Sequence, residues 1–196
     1  MTLLVVGLVF FLGMHSFSMP RRNRAALIAR VGEGPYKGLY SLVSLLGIVL
    51  IAIGYGQYRA SGYDPVWDPP VWTRHLALIL VWLAFICLAA AYLPGRIKAR
   101  LKHPMLAGVK IWALAHLLAN GDLGSILLFG SFLVWAVFAR ISAKRRDVAA
   151  QHGGTAVPAG WRNDALAVLI GTVAYLAFVF WLHPWLIGVP VLPMRA

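Results

Sequence analysis

Two histidines, His15 and His116, lie inside otherwise apolar runs of the chain, "LVFFLGMHSF" and "VKIWALAHLL". Ionisable side chains are costly within a bilayer, so they are candidate functional residues by default. A neutral imidazole is a common metal ligand, and two of them on facing helices can supply both axial nitrogens of a haem iron. The alternative is that each histidine only hydrogen-bonds a backbone carbonyl on a neighbouring helix.

The basic residues nearest to the two histidines predict a common depth for both. His15 precedes Arg21 by six residues, and His116 follows Lys110 by the same number. At ~1.5 Å of rise per residue, each imidazole would lie roughly 9 Å from its nearest inner-face charge. Basic side chains at this level are predicted counter-ions for haem propionates: Arg21, Arg22, Lys102 and Lys110.

The composition is that of a membrane protein. Of 196 residues, 61% are hydrophobic, and the mean hydropathy is +0.77. The formal net charge of +12 comes in short clusters between apolar runs, without a nucleic-acid-binding motif, so the predicted partner is the lipid bilayer and no nucleic acid is expected. The single cysteine, Cys87, excludes a disulfide within one chain and a thiolate metal cluster.

Apolar runs predict the helices that position the histidines. Four runs, near 2–19, 38–58, 73–93 and 164–189, approach the roughly 20 residues that a transmembrane helix needs. The region 104–139 is too long for one crossing and is interrupted at "ANGDLG", which is turn chemistry, so it predicts a helical hairpin. We therefore expect an all-α bundle of about six transmembrane helices in a single domain over residues 1–196.

Basic residues predict the orientation of these helices. Alternate loops, residues 20–37, 94–103 and 140–163, contain fourteen of the eighteen lysines and arginines. Such loops face the cytoplasm in membrane proteins. Both termini are then predicted to lie outside.

Other polar residues have predicted structural roles. His103 with Pro104 is expected to start a helix, because proline is favoured in a first turn. Asp122 is expected to cap the hairpin turn, with proton handling as the alternative. Residues 147–160 are predicted to form a flexible cytoplasmic loop in which His152 is solvated.

His75 and His183 are predicted to lie toward the outer face. Tryptophans stand near both in the sequence, which favours a role in anchoring the membrane interface. The alternative is a second site for a haem, a quinone or a metal.

Three segments resemble a known family: "LGMHSFSM", "GEGPYKGLYSLVSLLG" and "KHPMLAGVKIWALAHLLANGD". Nearly the whole chain resembles the NnrU family of bacterial inner-membrane proteins, which is associated with denitrification gene clusters. That family is similar in turn to the haem-containing zeta-carotene isomerase of plants and cyanobacteria.

The resemblance implies an integral membrane haem b protein of the bacterial inner membrane, with His15 and His116 as iron ligands by motif position. It implies a hydrophobic, polyene-like or quinone-like substrate, and a histidine that leaves the reduced iron. An isomerase-like enzyme, an oxidoreductase and a redox-linked or nitric-oxide-linked module all remain open. The expected haem-binding set is His15, His116, Arg21, Arg22, Lys102, Lys110 and Trp112.

Two other classes of function compete. "KHPMLAG" also resembles the His-Pro segment of isoprenylcysteine carboxyl methyltransferases, which bind S-adenosylmethionine and have acidic residues in a later segment. Here only Asp147 and Asp164 follow the hairpin, and the chain has no glutamate after Glu33. A small transporter would need helices that are polar or broken across the full membrane depth, and only the 104–139 region is visibly interrupted.

Overall fold

The computed structural model describes residues 1–149 and 160–192, and these residues are almost wholly helical. No β-strand occurs in the two described ranges. The predicted all-α class is therefore confirmed. The helices are α1 (Thr2–Phe17), α2 (Arg21–Val31), α3 (Glu33–Ala60), α4 (Val71–Tyr92), α5 (Arg96–Leu101), α6 (Pro104–Ala119), α7 (Leu123–Ala149), α8 (Trp161–Ala177) and α9 (His183–Ile187), with a π-helical turn at Phe178–Leu182.

Several helices are long and apolar enough to cross a bilayer. Within the described residues, α3, α4, α7 and the run Trp161–Ile187 meet this condition by themselves. The consecutive helices α1 and α2 meet it together, bent by 93° at their junction, and α6 is a shorter apolar helix of 16 residues. The chain is thus built as a multi-pass helical membrane protein. Six crossings and the outside position of both termini stay predictions.

The contacts divide the chain into two compact units. The first unit consists of Met1–Pro69 and Asn120–Arg146. In it α1 packs closely on α3, because glycines remove the side chains where the helices meet. A Cβ on Gly47 would lie 2.7 Å from the backbone nitrogen of Phe11, and one on Gly54 would overlap the backbone of Leu4.

The second unit consists of Pro70–Ala119 and the described residues from Asp147 onward, and it is built around α4. Both α6 and α8 pack on α4. A Cβ on Gly171 of α8 would lie 2.7 Å from the Cα atom of Ile86. The indole Nε1–H of Trp82 donates to Thr172 Oγ1 at 2.9 Å. The prediction of one domain over residues 1–196 stays a prediction.

The basic segments contain helices that the hydropathy pattern does not show. Residues 20–37 were expected as a loop, yet α2 occupies Arg21–Val31, and α5 occupies Arg96–Leu101. Alanine, leucine and arginine favour helix, so a basic segment rich in them can remain helical after the apolar run ends. For the same reason α7 continues to Ala149, so residues 147–149 are helical; His152 and the rest of 150–159 lie outside the described residues.

The predicted break at the Asn-Gly pair is confirmed, since α6 ends at Ala119 and α7 begins at Leu123. Asp122 caps α7: its Oδ1 accepts from the Ser125 backbone N–H at 2.8 Å, and its Oδ2 accepts from Ser125 Oγ at 2.6 Å. The Tyr55 hydroxyl lies 2.7 Å from Ser125 Oγ. The structural role predicted for Asp122 is therefore confirmed, and proton handling stays a prediction.

Candidate functional site

His15 lies in the last turn of α1, where its own helix fixes its tautomer. Its Nδ1 is 2.7 Å from the backbone oxygen of Phe11, one turn earlier. A carbonyl oxygen can only accept a hydrogen bond, so Nδ1 carries the proton and the ring lone pair is on Nε2. A metal-binding histidine has this arrangement, with one nitrogen donating to a carbonyl and the other presented to the metal.

Aromatic side chains from three helices surround the half-buried His15 ring. The ring centroids of Phe11, Tyr40 and Trp135 lie 4.2, 5.2 and 5.8 Å from that of His15. The Trp135 indole is edge-on to the imidazole, at 87°. Its buried Nε1–H has no hydrogen-bond partner among the described residues. A buried donor of this kind is costly unless an acceptor satisfies it, so a bound group with oxygen atoms would fit here.

The end of α1 changes one step of the depth estimate. The helix stops at Phe17, and Arg21 begins α2, which is bent away by 93°. The six residues from His15 to Arg21 therefore do not all rise along one axis, so the estimate of roughly 9 Å does not apply to His15. Between Lys110 and His116 the helix is continuous, so the estimate holds there. Equal depth for the two histidines stays a prediction.

His116 on α6 repeats the local chemistry of His15. Its Nδ1 lies 2.9 Å from the backbone oxygen of Trp112, again four residues earlier, so the tautomer again has its lone pair on Nε2. The ring centroids of Trp112 and His116 are 5.2 Å apart. Trp112, one of the predicted site residues, is thus a direct neighbour of the histidine in both backbone and side chain.

The predicted counter-ions fall into both units. Arg21 and Arg22 open α2 in the first unit and are exposed. Lys102 ends α5 with a positive φ of 59° and is exposed, whereas Lys110 is partly buried on α6 in the second unit. The first unit therefore contains His15 and two of the predicted cations, and the second contains His116 and the other two. The pairing of the two histidines stays a prediction.

The other histidines have contacts of their own. The residue before α6 is His103, as predicted, and its Nε2 lies 2.9 Å from Asp147 Oδ2. His183 donates from Nδ1 to the backbone oxygen of Val189 at 2.8 Å, and His75 is exposed. Within residues 1–149 and 160–192 no group of three or more histidine, cysteine or acidic side chains is placed to hold a metal ion. An axial pair of histidines needs only two ligands, so this finding does not bear on it.

The sequence interpretation missed the aromatic residues around His15. The Phe11 contact could have been found, because residues four apart lie on the same face of a helix. Tyr40 and Trp135 come from α3 and α7, and their approach depends on how those helices pack on α1. No spacing within the sequence gives that packing.

These features define a class: an all-helical membrane protein in which two short apolar helices each present an imidazole of fixed tautomer. A family model described as NnrU protein matches residues 3–191, nearly the whole chain. The chain belongs to the NnrU family. Comparisons with curated proteins and with solved structures give no match.

Proposed function

We propose that the chain is an integral membrane haem b protein of the bacterial inner membrane, in which His15 and His116 would hold the haem iron. One observation carries the proposal. Both histidines donate from Nδ1 to the carbonyl four residues earlier, and each packs on the aromatic ring of that same residue. The shared arrangement leaves Nε2 as the ligating nitrogen in both rings.

Polar and cationic side chains in each unit suit this role. The orphaned Nε1–H of Trp135 and the exposed guanidinium groups of Arg21 and Arg22 can bind carboxylates in the first unit. Lys102 and Lys110 offer the same chemistry in the second. When bound, haem b supplies a one-electron redox centre whose iron can bind a further ligand when one histidine leaves. The chain would then be a redox-regulated isomerase-like enzyme acting on a polyene-like or quinone-like substrate, or a redox-linked or nitric-oxide-linked module.

The proposed topology has six crossings with both termini outside. The crossings are α1, α3, α4, α6, α7 and the run Trp161–Ile187. At 16 residues each, α1 and α6 are ~24 Å long. A hydrocarbon core of ~30 Å can adapt to such helices by local thinning and by extension of flanking lysines and arginines. The basic segments 20–37, 94–103 and 140–163 support the cytoplasmic position of the alternate loops.

Optical spectra of protein purified in detergent from haem-replete cells test the cofactor. We expect a sharp Soret band that shifts on reduction with dithionite, together with split visible bands. Colourless protein with a normal helical circular dichroism spectrum, which stays colourless after haem is added, would contradict the proposal.

Single variants test the ligand assignment. His15→Ala and His116→Ala should each lower haem occupancy about tenfold or convert the spectrum to a five-coordinate form. His103→Ala and His75→Ala are matched controls and should keep the six-coordinate spectrum. If His183→Ala removes the six-coordinate spectrum and His15→Ala does not, the axial pair is wrongly assigned.

Labelling of single cysteines tests the topology. Cys87 is buried, and a Cys87→Ser background has no thiol for a maleimide to label. Ala60→Cys and Ala99→Cys replace exposed alanines in segments predicted to face opposite sides. In whole cells, a membrane-impermeant maleimide should label Ala60→Cys alone. Labelling of Ala99→Cys alone would reverse the orientation.

The methyltransferase alternative is tested by binding of labelled S-adenosylmethionine. The two acidic residues that follow the hairpin already make structural contacts. Asp164 Oδ1 accepts from the backbone N–H of Ile97 at 2.9 Å, which caps the start of α5, and Asp147 contacts His103. Saturable binding of the labelled cofactor by haem-free protein would favour methyl transfer over the haem proposal.

A further inference from the structure

A groove in the first unit carries cationic and hydroxyl side chains. It shares Tyr40 with the surroundings of His15 but includes none of the predicted haem-binding residues. It has a volume of about 330 Å³ and lies where α1, α2 and α3 meet. We call it the Arg24–Lys37 groove. Its lining residues are Ser18, Arg24, Tyr36, Lys37, Tyr40 and Ser41.

Partly buried hydrogen bonds hold Ser18 and Tyr36 together in the groove. Ser18 Oγ donates to the Met14 backbone oxygen at 3.0 Å, so at 3.1 Å it accepts from the Tyr36 hydroxyl. Tyr36 is only 4% exposed. The Arg24 guanidinium carbon lies 6.0 Å from the centroid of the Tyr36 ring, at the outer limit of a cation–π contact. Arg24 is therefore positioned over a rigid ring at the edge of the groove.

Lys37 supplies a second cation with a weakly held partner. Its Nζ lies 2.9 Å from Glu33 Oε1, and the two side chains are 65% and 63% exposed. An exposed pair of this kind contributes little net free energy. An anion that also contacts Arg24 can therefore displace Glu33 from Lys37.

Acidic residues within this segment do not balance its basic residues. Residues 20–37 carry five lysines and arginines but a single acidic residue, Glu33. All four arginines of α2 are exposed: Arg21, Arg22, Arg24 and Arg30. A basic cluster that directly follows a membrane helix attracts anionic lipid headgroups.

Apolar surface beside the groove favours lipid over a soluble anion. Leu45 lies one turn after Ser41 on the same face of α3 and is 61% exposed. Phe17, at the end of α1, is also exposed. A phospholipid offers an anionic headgroup and acyl chains together, which matches a cationic groove bordered by exposed apolar side chains.

We propose that the Arg24–Lys37 groove binds the headgroup phosphate of an anionic phospholipid. Arg24 and Lys37 pair with the phosphate oxygens, and the Ser41 hydroxyl donates to the same group. Leu45 contacts the acyl chains. Neither Arg24 nor Lys37 belongs to the proposed haem-binding set, so this site stands whether or not the protein binds haem.

Native mass spectrometry of the full-length protein in detergent tests the proposal. The probes are dioleoyl phosphatidylglycerol and dioleoyl phosphatidylcholine, which share acyl chains and differ in headgroup charge. We expect preferential binding of phosphatidylglycerol, weakened about tenfold in the double variant Arg24→Gln with Lys37→Gln. Equal binding of the two lipids would overturn the proposal.

A matched double variant distinguishes lipid binding in the groove from lipid binding by general surface charge. Arg30→Gln with Lys144→Gln removes the same charge from exposed positions outside the groove. It should change phosphatidylglycerol binding by less than about twofold. An equal loss of phosphatidylglycerol binding in both double variants would show that binding depends only on net charge. That result would overturn the proposed site.

Two further measurements keep the outcome clear. Glu33→Gln frees Lys37 and should tighten phosphatidylglycerol binding about threefold, a gain that misfolding cannot produce. If this variant binds no tighter, Lys37 does not contact the phosphate and the proposal fails. Inorganic phosphate should compete only at a large excess over the lipid; competition at equal concentration would assign the groove to a soluble anion instead.

Discussion

The two helices that carry the candidate ligands, α1 and α6, have the same length but pack on their neighbours in different ways. In the first unit, Gly47 and Gly54 of α3 bring that helix into backbone contact with α1. In the second unit, α6 meets α4 at Gly108, where a Cβ would lie 3.0 Å from the Ala84 carbonyl oxygen and 3.3 Å from the Leu88 side chain. Where α1 crosses α3, backbone atoms of the two helices are in contact. Where α6 crosses α4, part of the contact is with the Leu88 side chain, which can move.

This difference predicts how each imidazole is held. Close backbone contact fixes α1 on α3, and aromatic rings from α3 and α7 then surround His15. His116 contacts the carbonyl and ring of Trp112 on α6, and the crossing of α6 on α4 includes a side chain that can move. A ligand on a helix with a rigid crossing keeps its position, and a ligand on a helix whose crossing can adjust moves with that helix. We therefore expect His116 to be the more mobile of the two candidate ligands.

The largest effect is expected from Gly54→Ala. The new Cβ would overlap the Leu4 backbone, and no side chain can rotate away to make room. We expect a loss of about 3 kcal/mol in the free energy of unfolding, or about 10 °C in Tm, measured by thermal unfolding in detergent. If the protein binds haem as proposed, haem occupancy should fall with it.

Gly56→Ala is the matched control for Gly54→Ala. It lies on the same helix, is exposed and has open space around its Cβ position. Alanine favours helix over glycine by about 1 kcal/mol, so Tm should stay the same or rise slightly. Equal Tm values for the two variants would mean that α1 and α3 do not cross at Gly54.

Ser125→Ala tests a second contrast, between hydrogen-bonded polar groups of the two units. In the first unit Ser125 links the Tyr55 hydroxyl to the Asp122 carboxylate and its backbone N–H is capped by Asp122. Removing the Ser125 hydroxyl leaves the buried Asp122 Oδ2 and the partly buried Tyr55 hydroxyl without this partner. We expect the free energy of unfolding to fall by about 2 kcal/mol, measured as a lower Tm.

Thr172→Val is the counterpart in the second unit. There a single bond joins Trp82 Nε1 to Thr172 Oγ1, so only one group loses its partner. The free energy of unfolding should fall by about 1 kcal/mol. A larger fall in Tm for Thr172→Val than for Ser125→Ala would contradict the expectation that linked hydrogen bonds stabilise the fold more than a single bond does.

The sequence predicted those parts of the fold that depend on hydropathy and local turn chemistry. The apolar runs gave the long helices, and "ANGD" gave the break between Ala119 and Leu123. The helix α2 could not be predicted in this way, because its polar residues show no apolar stripe. The π-helical turn Phe178–Leu182 precedes Pro184, whose missing N–H disturbs the helical hydrogen-bond ladder, so that irregularity had a local signal.

The candidate site was predictable only in its local part. The type and position of His15 and His116 came from the sequence, and Trp112 was within the motif. The fixed tautomer of each ring follows from a carbonyl one turn earlier, so it depends on helix geometry alone. The surroundings of Trp135 depend on how α7 meets α1, and the groove around Arg24 depends on how α2 meets α3. No pattern in one sequence gives that placement.

Gly108→Ala should have the smallest effect and therefore tests the packing contrast most directly. The methyl group would press on the Ala84 carbonyl and on Leu88, and the leucine can change rotamer. That cost is offset by the helix preference of alanine, about 1 kcal/mol, so Tm should stay within about 2 °C of the wild-type value. Gly130→Ala on α7, which meets nothing within 4 Å, calibrates the gain from helix preference alone. A fall in Tm as large as that of Gly54→Ala would show that α6 is held on α4 as rigidly as α1 is on α3, and His116 would then be no more mobile than His15.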